Sequence, residues 1–285
     1  MPSLTTSRNI QLTYTRLGQG EPLICVPGGP LLPATYLGTL GDLDQHTELI
    51  LLDPPTTPMD TSGIENGAAD ALYRCDNLAE DLESLRQHLR LERLTLLGHS
   101  AGANIILRYA ERYPAHVARV LLITPSTRAV GIDITDEART ALARSRAAEP
   151  WYGEASAALT RIQTGQAGAE DWNAIAPFSY GRWDKAAAEY NAVMDAARNP
   201  HATTAFGAED AFDPPATRTA LSVLHAPVTI IAGALDIGLP PATMEELAAL
   251  FPTAQLTMLE GAGHFPWIDQ PRAFITATQH ALSAR

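Results

Sequence analysis

Short apolar runs of strand length recur along the chain, separated by longer segments in which apolar positions repeat every three or four residues. The runs are PLICVPG (22–28), TELILLD (47–53), RLTLLG (93–98), VARVLLIT (117–124), APVTIIAG (226–233) and AQLTMLEG (254–261). Several are continuous and do not alternate, as expected for strands of a parallel sheet covered on both faces. Between them, DNLAEDLESLRQHL (76–89) carries Leu78, Leu82, Leu85 and Leu89 at helical spacing, with acidic residues between and Asp76 at its start. ANIILRYAERYP (103–114) predicts a second helix, and a final one begins at Pro271. Strand and helix in alternation predict an α/β fold: a mostly parallel central sheet flanked by helices.

The texture changes between about Pro125 and Ala226, where strand signals vanish and Ala, Arg and Glu dominate. Trp151, Trp172, Trp183, Phe178, Tyr180, Tyr190, Phe206 and Phe212 all fall there. This predicts a helical cap over residues 126–225, inserted into one core made of 1–125 and 226–285.

Composition narrows the function. At 285 residues with 46% hydrophobic, the chain can fill a sizeable core. Lys plus Arg number 20 against 32 Asp plus Glu, a net charge of -12 that argues against nucleic acid and anionic membranes as partners. The first residues hold no apolar signal core, and no 18-residue apolar run occurs, so a cytoplasmic protein without a membrane partner is expected. Cys25 and Cys75 are too few for a disulfide framework, and the eight histidines form no metal-ligand pair, so neither metal nor cofactor is expected. The partner that remains is a small-molecule substrate; monomer and homodimer are both open.

One stretch points to chemistry. In LTLLGHSAGANIILRYAERYP (94–114), Ser100 sits between two glycines in a strand-turn-helix setting, the arrangement of a nucleophile elbow. The bland alternative is a helix-capping serine. A serine hydroxyl needs a base, and the base needs a third group to fix its tautomer. Asp236 in the loop after VTIIAG, and His264 in the loop after LTMLEG, supply both from the same predicted sheet edge. Singly, each has a structural alternative: a loop-capping carboxylate, a structural imidazole. His99, adjacent to the serine in a tight turn, is read as a packing and orienting residue. For an oxyanion, Ala101 offers one backbone N–H and Gly29 the other, since Pro27 and Pro30 have none. Trp151, Tyr152, Phe178 and Trp183 are candidate substrate contacts, with cap anchoring as the competing role.

The segments VPGGP (26–30), GHSAG (98–102), GALD (233–236) and GAGHFPW (261–267) resemble the α/β-hydrolases, and within them the proline iminopeptidase-like branch, over nearly the whole length. The resemblance implies an eight-stranded sheet, a helical cap, Ser100 as nucleophile, Asp236 as acid, His264 as base, and Gly29 with Ala101 as oxyanion hole. Two departures stand out: Pro27 where the branch has His, and LDPPTTP (52–58) where its peptidases carry Asp-Gln-Arg-Gly. The expected function is a serine hydrolase acting on an ester, thioester or amide through an acyl-enzyme on Ser100. Alternatives on the same scaffold are a lyase, cyclase or C–C bond enzyme, and a ligand-binding receptor.

Overall fold

The computed structural model describes residues 1–55 and 66–283. Its described strands are β1 (Ser3–Thr5), β2 (Gln11–Leu17), β3 (Pro22–Val26), β4 (Glu48–Asp53), β5 (Leu94–His99), β6 (Val117–Ile123), β7 (Val228–Gly233) and β8 (Gln255–Leu259). They form one sheet in the order β1-β2-β4-β3-β5-β6-β7-β8. β2 pairs antiparallel with β1 and β4, and every other pairing is parallel. The six apolar runs form β3 to β8. β1 and β2 have no counterpart among them: Leu12 and Tyr14 are buried, but polar residues on either side of each dilute the signal, as suits strands at one end of a sheet.

Alternation within the strands divides the core into two layers. Ile24, Leu96 and Leu122 face one side, where they meet Leu78, Leu82 and Leu85 of α2 (Cys75–His88) and Ile106 of α3 (Gly102–Arg112). Leu23, Leu97 and Leu121 face the other, against Phe274 and Ala281 of α12 (Pro271–Ser283). Each fully buried leucine contributes roughly 1.5–3 kcal/mol by leaving water. α2 is preceded by α1 (Asn66–Tyr73) and begins one residue before Asp76, whose carboxylate binds the Arg74 guanidinium (3.1 and 3.2 Å) and does not cap the helix. Cys75, although set in a polar stretch, is buried, as is Cys25; both are free thiols that burial pushes to higher pKa.

Between β6 and β7 lie six α-helices among the described residues: α4 (Asp136–Arg144), α5 (Tyr152–Gln163), α6 (Ala169–Ala174), α7 (Lys185–Ala196), α8 (Pro200–Phe206) and α9 (Pro214–Leu221). Thr135, Asp184, Asn199 and Asp213 cap four of them by accepting the N–H of Ala138, Ala187, Ala202 and Ala216. Each such cap is worth about 1 kcal/mol. Phe206 and Leu221 join the α2/α3 layer, whereas Ala155, Leu159 and Phe178 cluster with Ile237 apart from it. α10 (Pro241–Ala248) packs Met244 and Leu247 into the α2/α3 layer, and α11 (Pro266–Asp269) leads into α12. No described helix is long and apolar enough to cross a membrane.

Because β3, β5, β6, β7 and β8 run the same way, the loops that follow them leave from one edge of the sheet. Those loops hold Gly29, Ser100, Thr124, Asp236 and His264. The TTP of LDPPTTP lies outside the described residues.

Candidate active site

Ser100 stands between the end of β5 and the start of α3 with φ 50, a left-handed conformation that costs a non-glycine residue roughly 1–2 kcal/mol. Hydrogen bonds hold it there. Its N–H donates to the Ile123 carbonyl (3.0 Å), and its carbonyl accepts from Ala103 (3.1 Å) and Ser126 (3.0 Å). Of the flanking glycines, Gly102 is sterically required and Gly98 is crowded. A Cβ at Gly98 would lie 2.7 Å from Ile106 Cδ1, and one at Gly102 would press into the carbonyl oxygens of Val26 and Pro27.

The loop after β7 aims Asp236 inward, with 1% of its surface exposed. Its Oδ1 accepts the N–H of Gly238 (2.9 Å) and Leu239 (3.2 Å), and its Oδ2 lies 2.6 Å from His264 Nδ1. A carboxylate only accepts, so the proton sits on Nδ1 and leaves the Nε2 lone pair available. Ser100, Asp236, His264 and Gly29 line one cavity of about 240 Å³. Among the described residues the Ser100 hydroxyl makes no hydrogen bond; catalytic hydrogen bonds commonly tighten only when substrate is bound.

Of three backbone N–H groups near Ser100, one is engaged and two are free of partners among the described residues. Gly28 donates its N–H to the Tyr36 hydroxyl (2.7 Å), so that group is taken. The N–H groups of Gly29, at φ 115, and Ala101 have no acceptor among the described residues.

A chain of hydrogen bonds links the loop after β3 to the loop after β8. Burial holds the proton on the Tyr36 hydroxyl, which donates to His99 Nδ1 (2.6 Å); His99 Nε2–H in turn donates to the His264 carbonyl (3.0 Å). Thr124 Oγ1 donates to the same carbonyl (2.9 Å), and the His264 N–H donates to the Ser179 carbonyl (2.7 Å). His264 is therefore gripped at both ends of its backbone. Burial, and then the neighbouring His264 ring, hold the His99 pKa well below its ordinary value, so His99 stays neutral. Its ring nitrogens are expected to report the Nε2–H tautomer by ¹⁵N NMR at pH 6. The unfolded chain takes up a proton at this residue below about pH 6.5 and the folded chain does not, so this site withdraws stability as pH falls through that value. Tyr36→Phe strands the Gly28 N–H and His99 Nδ1. It is expected to cost about 1–3 kcal/mol, measured by urea unfolding.

The four candidate aromatic contacts lie elsewhere. Among the described residues, none of Trp151, Tyr152, Phe178 and Trp183 lines the Ser100 cavity. The Trp151 ring lies under the Arg146 guanidinium (4.8 Å) and meets Phe178 edge-on (5.1 Å). Tyr152 also packs edge-on against Phe178, which is 1% exposed, and Trp183 leans on Tyr180 (5.3 Å). They anchor the helical segment. The polar side chains that this segment sends into the cavity are Ser179, Asn191 and Arg198. Sequence reading missed them, together with Tyr36 and Thr124, because each is a single polar residue without a motif. Among the described residues no group of His, Cys, Asp and Glu is arranged to hold a metal.

The sheet order and its parallel centre define the class: an α/β-fold hydrolase. The family model for the α/β hydrolase fold matches residues 21–271, and the chain belongs to that family. The chain is 24% identical over 286 residues to a proline iminopeptidase of Heyndrickxia coagulans, covering 94% of this chain and 92% of that protein. The crystal structure of a proline iminopeptidase from Mycobacterium smegmatis superposes with a TM-score of 0.70 at 19% identity, covering 100% of both chains. An esterase from Exiguobacterium antarcticum, EaEST, gives a TM-score of 0.70 at 16% identity over 99% of both chains.

Proposed function

We propose that this hydrolase works through a Ser100–His264–Asp236 triad and an acyl-enzyme, cleaving an ester, thioester or amide of a small organic substrate. The observation that carries this reading is the 2.6 Å Asp236–His264 bond in the cavity that also exposes the strained Ser100. Ser100 Oγ attacks the carbonyl carbon as its proton passes to His264 Nε2. The carbonyl oxygen becomes an oxyanion, held by the N–H groups of Gly29 and Ala101. Collapse expels the leaving group, which takes the proton from Nε2, and water then repeats the sequence to free the acid and restore Ser100. Asp236 keeps the Nδ1 proton in place throughout and stabilises the imidazolium.

The helical segment 126–225 acts as the cap of this site, a reading supported by the three side chains, Ser179, Asn191 and Arg198, that it contributes to the cavity. The cap's charged contribution is Arg198, whose Nε binds Asp195 (2.7 Å). Among the described residues lining the cavity, no carboxylate is left free to receive an ammonium group, since Asp236 is engaged by His264, Gly238 and Leu239. Esters, thioesters and uncharged amides are therefore favoured over aminoacyl substrates, despite the peptidase relatives.

The test is a panel of esters, thioesters and aminoacyl amides, run beside peptide mapping after treatment with a fluorophosphonate. Turnover of at least one class with the adduct on Ser100 is expected. An unlabelled Ser100 and no turnover across the panel would sink the reading.

A further inference from the structure

Beside the Ser100 cavity lies a second and larger one, of about 700 Å³, between α7, the segment 32–41 and α11. Leu32, Tyr36 and Met194 belong to the walls of both. Its character is different. Where the Ser100 cavity is edged by Arg198, Asn191 and Ser179, the groove is lined chiefly by aliphatic and aromatic side chains.

On α7, Tyr190, Val193, Met194 and the following Ala197 recur at helical spacing and turn one apolar stripe toward the groove. A stripe of this kind ordinarily packs against protein. Here Val193 is 69% exposed, and Ile268 on the opposite wall is 41% exposed. Apolar surface left open beside a reactive cavity marks a place for a ligand.

The walls are braced. Tyr36 is fixed through its hydroxyl by His99 and Gly28, and its carbonyl accepts from Tyr190 Oη (2.7 Å), tying the 32–41 segment to α7. Met194, unbranched and with three rotatable bonds, is the adaptable part of the partition between the two spaces.

We infer that the substrate carries an apolar arm that lies in this groove while its carbonyl sits at Ser100. The inference rests on the hydrolase reading above and adds the substrate class: an alkyl or acyl derivative, with the polar end toward Arg198 and the carbon chain along α7.

The experiment uses alkyl fluorophosphonates of increasing chain length as probes. Ser100 Oγ forms the P–O bond, fluoride leaves with the bonding pair, and His264 takes the serine proton, so no natural substrate is required. The second-order inactivation rate is expected to rise by about fourfold for each fully buried methylene until the groove is filled. In Val193→Asp, a change at an exposed site, that rise should vanish, whereas Val223→Asp, an equally exposed valine away from the groove, should keep it. Ester series lengthened on the acid side or on the alcohol side then tell which half of the substrate bears the arm. A rate independent of chain length, or a rise that Val193→Asp leaves intact, overturns the groove while Ser100 labelling by the shortest probe keeps the hydrolase reading. No labelling at any length overturns both.

Discussion

Ser100→Ala is expected to lower kcat by about 10⁴- to 10⁶-fold on every substrate the chain turns over. Removing one oxygen deletes the proposed nucleophile and leaves the rest of the site standing. Alanine keeps the Cβ, so the cost of φ 50 is unchanged, and the backbone bonds to Ile123, Ala103 and Ser126 do not involve the side chain. The hydroxyl makes no hydrogen bond among the described residues, so none is lost from the fold. Stability should move by no more than about 0.5 kcal/mol. Binding should survive, so KM for the best substrate is expected to stay within a few-fold. Progress curves with urea unfolding alongside decide it: retention of more than a tenth of the parent rate by a folded variant would remove Ser100 from the mechanism.

Asp236→Asn should cost about 10⁴-fold in kcat through a different route. The carboxylate accepts from Gly238, Leu239 and His264. Asparagine matches it in size and can keep Oδ1 on the two loop N–H groups. Its other terminal atom becomes an NH₂, a donor pointed at a donor. The imidazole then relieves the clash by moving its proton to Nε2, the nitrogen that must receive the serine proton. Such a ring cannot act as base. The signature is a change of His264 tautomer by ¹⁵N NMR together with the fall in kcat and little change in KM. A variant that keeps the parent tautomer and rate would mean that Asp236 is only a loop cap.

The fold was legible because the buried parallel strands write continuous apolar runs: β3 to β7 stand out in this way, and β8, at the sheet's end with only Leu259 buried, shows as a weaker, interrupted run. β1 and β2 were not, since one carries a single buried leucine and the other buries only Leu12 and Tyr14 fully, too little for a window of sequence to register. For the candidate site, Gly98, Ser100 and Gly102 are bound by local sterics, so their spacing could be read directly. Asp236 and His264 each follow a strand that ends at the shared edge. Pocket walls obey neither rule. Arg198 and Asn191 reach the cavity through tertiary placement of α7, and Trp151 looked like a substrate contact when its ring is engaged by Arg146 and Phe178. Of the segment's aromatics, Trp151, Tyr152, Phe178 and Trp183 pack within it or on the core, while Tyr190 lines the groove beside the cavity.

The grip on His264 has a mechanical consequence. With its amide clasped by Ser179 and its carbonyl by Thr124 and His99, the stretch at 179 works as a fixed jamb: prying it upward would tear the imidazole from its seat.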